Sequence, residues 1–219
     1  MSRIKLGALA EAISGKSGNT IFYRLNDELH VKDYAIPADP RTPGQLAARD
    51  RLGRAADAWR SLSWEEAQAW RDYAQSLAVR QTGTTKVQTP RAQTLFCRLA
   101  MKFLQANPGA DPPRTPPTSP FLGDGLAVTV VADNGIRFDA SAPNTPGVVT
   151  ELLLQPMRSA ASMPVLRSYR SQAFVAFLPG SMSYRVDAER GLYACGYRFV
   201  RAATGQATEI AFAGLVAVG

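Results

Sequence analysis

Metal-ligating and redox-active side chains are scarce in this 219-residue chain, which contains only two cysteines and one histidine. Two cysteines are too few for a disulfide framework or a four-cysteine zinc site. Cys97 and Cys195 lie within apolar patterns, so we expect buried thiols there. His30 has no second base or nucleophile near it, and no pair of acidic residues indicates acid–base catalysis. The composition therefore predicts a protein that is not an enzyme, with no catalytic residue, metal or cofactor.

Long apolar runs are also lacking, since no stretch approaches the roughly 18 residues that a membrane-spanning helix needs. Glu11 interrupts the short apolar stretch near the N-terminus, so we expect neither a signal peptide nor a membrane partner. Hydrophobic residues make up 46% of the chain and charged residues 20%, as in ordinary globular proteins. We therefore expect a folded chain with a real core.

The net charge of +7 is concentrated in the first half of the chain. Residues 1–104 hold 16 Lys and Arg against 10 Asp and Glu, whereas residues 105–219 hold 9 against 8. Arginine accounts for 20 of the 25 cationic residues, and its guanidinium suits bidentate contacts to phosphate or carboxylate. Codon usage in a GC-rich genome also explains an arginine excess. A DNA-binding protein that uses the basic N-terminal half is therefore kept as an alternative function.

Alternating apolar residues predict a β-hairpin over residues 20–34, with its turn at Asn26–Asp27. Ile21, Tyr23 and Leu25 fall on one face of the first strand. A lone hairpin has too little apolar surface to be stable, and its unpaired edges invite pairing with another chain. We therefore expect this arm to dock to a partner. The candidate docking residues are Ile21, Phe22, Tyr23, Arg24, Val31, Tyr34 and Arg41.

A short sequence before the hairpin, Gly15-Lys16-Ser17, is similar to the end of a phosphate-binding loop. That loop also requires a glycine five residues earlier and a helix directly afterwards. Position 10 is Ala10, and the residues after Ser17 predict a strand. We therefore expect a glycine-rich turn here and no nucleotide site.

Helix signals dominate residues 41–104 and predict a three-helix bundle. Thr42–Gln45 and Ser63–Glu66 have the form of capping boxes, and a third helix is predicted from Thr89-Pro90 to Asn107-Pro108-Gly109. The predicted inward positions are Leu46, Leu52, Ala56 and Trp59 on the first helix, Trp64, Ala67, Trp70, Ala74 and Leu77 on the second, and Ala92, Phe96, Leu99 and Phe103 on the third.

The rest of the chain predicts a proline-rich linker at 105–120, followed by short strands. Asn134-Gly135 lies between two alternating runs and predicts a hairpin. Further strands are predicted at 148–154, 165–169, 173–178, 183–186, 192–200 and 208–218. The predicted fold class is α+β, with a hairpin and helical docking module at 1–104 and an immunoglobulin-like β-sandwich at 121–219.

The first 120 residues resemble a recurrent group of phage and prophage proteins. The resemblance depends on the order of several short pieces: Ile4-Lys5-Leu6-Gly7, then 14–24 (SGKSGNTIFYR), Pro37, 39–43 (DPRTP), Gln45, Ala58-Trp59, Leu62-Ser63, Glu66, Ala69-Trp70 and an aromatic third helix that runs into prolines. Proteins of this group look like virion components or the products of genes next to virion genes. The resemblance therefore implies a setting and no catalytic residue.

Residues 121–219 look like a fibronectin type III or immunoglobulin-like domain. The residues that carry this resemblance are Gly191-Leu192-Tyr193, Cys195, Tyr197, Phe199 and the turn Thr204-Gly205-Gln206. Phage capsids and tails often carry such domains as surface modules, and these bind by shape.

Together these features predict a non-enzymatic virion structural protein. The favoured position is the head, as a capsid decoration or minor capsid protein, with a tail or connector component as the alternative. The expected partners are the major capsid protein or other virion proteins, with the chain in many copies or as a homo-oligomer. Nucleic acid is the alternative partner. The expected location is the virion, assembled in the bacterial host cytoplasm. A carbohydrate or receptor site at the tip of the sandwich is a third hypothesis.

Overall fold

A computed structural model describes residues 2–4, 13–25, 28–36, 38–80 and 87–219. The fold mixes 25% helix and 35% strand, with three helices and antiparallel sheets, and this confirms the predicted α+β class at that level. The chain divides into two compact units, Met1–Gln45 and Leu46–Gly219, which are described separately. The predicted turn at Asn26–Asp27 lies outside the described residues.

The first unit contains a four-stranded antiparallel sheet with the strand order β1-β4-β3-β2. Its strands are β1 (Ser2–Ile4), β2 (Gly15–Ser17), β3 (Thr20–Leu25) and β4 (Glu28–Asp33). Pairing of β3 with β4 confirms the predicted hairpin. The prediction that both hairpin edges are exposed is wrong, because β1 pairs with β4 and β2 pairs with β3. Strands of three residues are too short to show a period in the sequence.

The first two helices start at the two predicted capping boxes, whereas the third begins at Ala92, two residues after the predicted start at Thr89-Pro90, and has no side-chain cap. The three helices are α1 (Pro43–Arg60), α2 (Trp64–Ser76) and α3 (Ala92–Ala106), with a small ribbon of β5 (Val79–Arg80) and β6 (Val87–Gln88) between α2 and α3. The Glu66 N–H donates to the Ser63 hydroxyl at 3.2 Å, and the Ser63 N–H donates to the Glu66 carboxylate at 2.7 Å. Thr42 and Gln45 exchange the equivalent bonds at 3.4 and 3.2 Å. Both predicted boxes are confirmed.

The helical core is smaller than the predicted stripes. Its buried members are Ala55, Trp70, Ala74, Leu95, Phe96, Leu99 and Ala100. Trp70 is confirmed as a core residue at 1% exposure. Four predicted inward residues are instead exposed: Leu46, Leu52, Trp64 and Leu77. The prediction extended each stripe along a whole helix, whereas the shared core involves only the sections around Ala55 and Trp70.

Seven strands form two antiparallel sheets in the C-terminal part. They are β7 (Val128–Ala132), β8 (Ile136–Ala140), β9 (Val148–Met157), β10 (Arg170–Val175), β11 (Ser183–Val186), β12 (Gly191–Arg201) and β13 (Ala211–Val218). The sheet orders are β10-β9-β12-β13 and β11-β8-β7. The hairpin at Asn134-Gly135 is confirmed, with φ angles of 43° and 133°. The predicted strand at 165–169 is wrong, because Leu166–Ser168 forms a 3₁₀ turn.

Side chains from both sheets fill one buried cluster. Ile136 and Phe138 from β8 meet Leu152 from β9 and Cys195 from β12, all at 0% exposure. The predicted buried thiol is confirmed at Cys195, whereas Cys97 is only partly buried. Burial raises the pKa of the Cys195 thiol to about 12. At the start of β12 the Tyr193 hydroxyl donates to the Glu189 carbonyl oxygen at 3.0 Å.

The proline-rich segment is hydrogen-bonded to the helices. Arg114 donates to both carboxylate oxygens of Glu66, at 2.6 and 2.7 Å, and to the carbonyl oxygen of Ser61. The indole N–H of Trp70 donates to the Arg114 carbonyl oxygen at 2.8 Å. The segment therefore packs as part of the second unit. The boundaries at 104 and 120 stay predictions, because only the folding of the separate pieces would test them.

A buried ion cluster joins α3 to the sheet β10-β9-β12-β13. Glu151 on β9 is fully buried and lies 3.0 Å from the Lys102 ammonium and 2.6 Å from the Arg198 guanidinium. Burial opposes the charge of Glu151, but the hydrogen bond from Arg198 and the charge of Lys102 outweigh it, and the Glu151 pKa is lowered. Burial, helped by repulsion from Arg198, lowers the pKa of Lys102. The cluster therefore holds two cations against one anion.

Gly205 marks the closest approach of the loop after β12 to α3. A Cβ at this position would overlap the Leu99 carbonyl oxygen and lie 2.8 Å from the Phe103 nitrogen, and φ is +73°. Because both obstacles are backbone atoms, Gly205→Ala must displace α3 from the sheet or unfold the loop. We expect a loss of about 2–4 kcal/mol in the free energy of unfolding, from positive-φ strain and overpacking together.

Gly180→Ala is the matched control, because Gly180 has φ +86° and a Cβ added there would meet no atom within 4 Å. We expect it to show the conformational strain alone, about 1 kcal/mol. Urea unfolding of the full chain measures both values. Equal losses in the two variants would show that α3 does not approach Gly205 as described.

Candidate docking surface

One face of the N-terminal sheet collects aromatic and cationic side chains. Register places Tyr23 opposite His30 and Ile21 opposite both Lys32 and Lys16, so these five residues share one face. The Tyr23 and His30 rings are stacked, with centroids 5.6 Å apart and an interplanar angle of 22°. A carboxylate oxygen of Glu28 lies 3.7 Å from the His30 ring.

Two lysines lie over the tyrosine rings of this face. The Lys16 ammonium is 3.5 Å from the centroid of the Tyr34 ring, and the Lys32 ammonium is 5.5 Å from that of Tyr23. Both distances are within the range of cation–π attraction. We call this surface the tyrosine face and define it as Lys16, Ile21, Tyr23, His30, Lys32 and Tyr34.

The predicted docking residues divide between the two faces of the sheet and one position outside it. Ile21, Tyr23 and Tyr34 belong to the tyrosine face. The remaining four lie elsewhere: Phe22, Arg24 and Val31 on the opposite face, and Arg41 beyond the sheet. On that opposite face Leu29 is buried at 5% exposure and pairs with Arg24. The predicted set therefore does not form one continuous surface.

Arg41 has an unusual backbone for a residue other than glycine. Its φ of 47° lies in the left-handed region, and its guanidinium is 3.8 Å from the Asp39 carboxylate. It stands just before the capping box of α1, where the chain changes from extended to helical.

The docking residues predicted from the sequence do not include Lys16, His30 and Lys32, which complete the tyrosine face. The signal was available, because the two-residue period of β4 puts His30, Lys32 and Tyr34 on the same side. The pairing of β2 with β3, which adds Lys16, has no signal of this kind in the sequence. The glycine-rich turn predicted at Gly15-Lys16-Ser17 is wrong, because these residues form β2 and the turn follows at Gly18-Asn19. The strand predicted after it is confirmed as β3.

Two acidic groups of the second unit, Asp124 and Asp139, are used in structural contacts. Burial opposes the charge of Asp124, but hydrogen bonds from Thr145 and Asn144 outweigh it and lower the Asp124 pKa. A hydrogen bond from the Ser183 hydroxyl, with Arg137 nearby, lowers the pKa of Asp139. Among the residues that the structure describes, no three metal-ligating side chains come together.

No helix in the described part of the chain is long and apolar enough to cross a bilayer. The chain matches no protein-family model, no curated protein and no solved structure.

Proposed function

We propose that the chain is a non-enzymatic structural protein of a phage virion, present in many copies and attached through its N-terminal unit. The observation that carries the proposal is the tyrosine face, which puts two lysines and two tyrosines on a compact unit separate from the main core. Tyrosine is enriched at protein–protein interfaces, and a positive patch favours a partner with a negative one. The resemblance of residues 1–120 to phage proteins supplies the setting.

The sandwich is part of the same proposal, as an immunoglobulin-like or fibronectin type III domain. A three-stranded sheet β11-β8-β7 against a four-stranded sheet β10-β9-β12-β13 supports it, because β8, β9 and β12 then take the places of strands B, C and F. Tyr193 adds a second argument, since it stands two residues before Cys195 and its hydroxyl bonds back to Glu189, as in a tyrosine corner.

The sandwich departs from antibody domains in two respects. The third strand of the sandwich, β9, contains no tryptophan, and the other cysteine of the chain, Cys97, lies on α3 and not on β8. The inter-sheet disulfide of antibody domains therefore has no counterpart. These departures favour the fibronectin type III form.

We place the protein on the head, as a decoration or minor capsid protein, with a tail or connector position as the alternative. The partner would be the major capsid protein or a neighbouring virion protein that offers carboxylates to Lys16 and Lys32. The same face supports a second candidate function, DNA binding, because lysines beside aromatic rings also suit phosphates and bases. Phosphate contacts weaken steeply between about 50 and 200 mM salt, which separates the two candidates.

Removal of residues 1–36 tests the docking role. We expect the truncated protein to be at least about ten-fold depleted from gradient-purified particles, as measured by quantitative mass spectrometry, because the tyrosine face is lost. The second unit keeps its own buried clusters, so its circular dichroism transition should persist.

A point variant makes this test independent of truncation. Tyr23→Ala with Tyr34→Ala should also reduce particle loading, whereas Tyr184→Ala, at an exposed tyrosine on β11 outside the tyrosine face, should not. Wild-type occupancy for the truncated protein would refute docking through this unit.

A further inference from the structure

The sheet β10-β9-β12-β13 of the sandwich has an apolar groove on its outer face. Residues 158–169, which connect β9 to β10, fold over the side of the sheet opposite the main core. The floor of the groove is Tyr169 and Ile210, which pack beside Leu153 and Ala194. The groove has a volume of about 410 Å³. Its remaining lining residues are Ala160, Ser162, Met163, Pro164, Leu166, Phe212 and Leu215.

The groove is built into the fold. A Cβ on Gly196 would lie 2.9 Å from the Ile210 side chain and 3.1 Å from the Tyr169 ring, so only glycine lets these two side chains reach the sheet. The Val165 N–H donates to the side-chain oxygen of Gln155 at 3.0 Å, which fixes the loop that forms one wall. The shape of the groove is therefore fixed by contacts of the loop and of Ile210 with the sheet.

Four large apolar side chains in the walls of the groove are exposed to solvent. Met163 is 84% exposed, Leu166 69%, Phe212 58% and Leu215 39%. Scattered exposed apolar residues are ordinary, whereas a contiguous group around a concavity marks an interaction site. Proteins often recognise an amphipathic segment by seating its apolar side chains in such a groove.

The loop that forms one wall of the groove carries charge of one sign, whereas on the other wall the exposed Glu209 precedes Ile210. Between Glu151 and Asp187 the sequence has no acidic residue and has arginines at 158, 167, 170 and 185. Arg158, Arg167 and Arg170 are exposed and lie on or beside the groove-forming loop. A second copy of the chain would bring the same cations face to face, at a cost in electrostatic energy. A planar membrane would not enter a concave groove with a buried floor.

We propose that this groove binds an apolar segment of another protein, two or three large side chains long, flanked by aspartate or glutamate. The inference deepens the proposed function, because it assigns the sandwich a recognition surface in addition to the docking unit. The apolar side chains would occupy the groove, and the flanking carboxylates would pair with Arg158 and Arg167. Arginine suits this role, since its guanidinium binds a carboxylate in bidentate fashion.

Two displayed libraries of 12-residue peptides test the proposal on the full chain. Both have the same randomised apolar centre, one with aspartate flanks and the other with lysine flanks. We expect selected peptides from the aspartate library to bind at least ten-fold more tightly, as measured by fluorescence polarisation. Leu166→Asp should reduce this binding more than ten-fold, and Arg167→Glu should remove the preference for aspartate flanks.

Leu178→Asp is the matched control, because Leu178 is 56% exposed and does not line the groove. Equal binding of both libraries, or binding that survives Leu166→Asp, would overturn the proposal. Self-association in sedimentation experiments that Leu166→Asp abolishes would assign the groove to a second copy instead. Sedimentation with anionic phosphatidylserine vesicles that the same variant abolishes would assign it to a membrane. The proposed function is tested by particle loading and the groove by peptide binding, so failure of one proposal is distinguishable from failure of the other.

Discussion

Trp70→Ala is expected to lower the free energy of unfolding of the second unit by about 3–5 kcal/mol, the usual cost of removing a buried tryptophan side chain. The ring is 1% exposed and makes edge-to-face contacts with Phe96 and Tyr73, at centroid distances of 5.1 and 5.9 Å. Its N–H also holds the proline-rich segment through the Arg114 carbonyl oxygen. The variant therefore loses core packing and a long-range hydrogen bond at the same site.

Trp64→Ala is the control for this variant, because Trp64 begins the same helix but is 71% exposed. We expect a change within about 0.5 kcal/mol, as for most surface substitutions. Urea unfolding followed by circular dichroism at 222 nm measures both. If Trp70→Ala keeps wild-type stability and loses only binding, Trp70 is a recognition residue and the description of the helical core is wrong.

Glu151→Ala is expected to be the most damaging substitution of a charged residue in the described structure. It leaves the Lys102 ammonium and the Arg198 guanidinium facing each other at a site where the acid was fully buried. Breaking a buried pair in this way costs about 3–5 kcal/mol. The Lys102 and Arg198 side chains retain 15% and 24% exposure, so some rehydration is available and we expect about 3 kcal/mol.

Glu151→Gln separates charge from packing, since the amide has nearly the same shape. We expect it to lose most of the same stability, because the two cations again have no counter-charge. Glu209→Ala, at an exposed glutamate, should change the unfolding midpoint very little. Full stability in Glu151→Gln would show that the carboxylate charge does not hold α3 against the sheet.

Local signals in the sequence were sufficient where the cause of the structure is also local. Capping boxes at Thr42 and Ser63 and the Asn134-Gly135 turn involve residues within four positions, and all three are confirmed. Val165–Tyr169 resembled a strand by composition, but the loop is held by a hydrogen bond to Gln155, ten residues earlier in the sequence. Trp64 belongs to the same helical stripe as Trp70, and only the packing of neighbouring helices shows which of the two is buried.

The long-range features could not be predicted from one sequence. Nothing in the spacing of Lys102, Glu151 and Arg198 indicates that they meet, because the contact depends on how α3 lies against two strands. The tyrosine face was predicted in part, since the alternation in β3 identified Tyr23 and Ile21 but did not show which residues of the neighbouring strands share their face. The apolar groove was missed because residues 158–169 were divided between a loop and a strand that does not form.

If a phage encodes the chain, as we propose, a cryo-EM map of the particles of that phage tests the central claim most directly. We predict density for the chain in many symmetry-related copies, with residues 1–45 in contact with a virion protein through Tyr23, Lys32 and the rest of the tyrosine face. Particles that lack the chain altogether, or that bind it through the sandwich with the tyrosine face directed to solvent, would contradict the account.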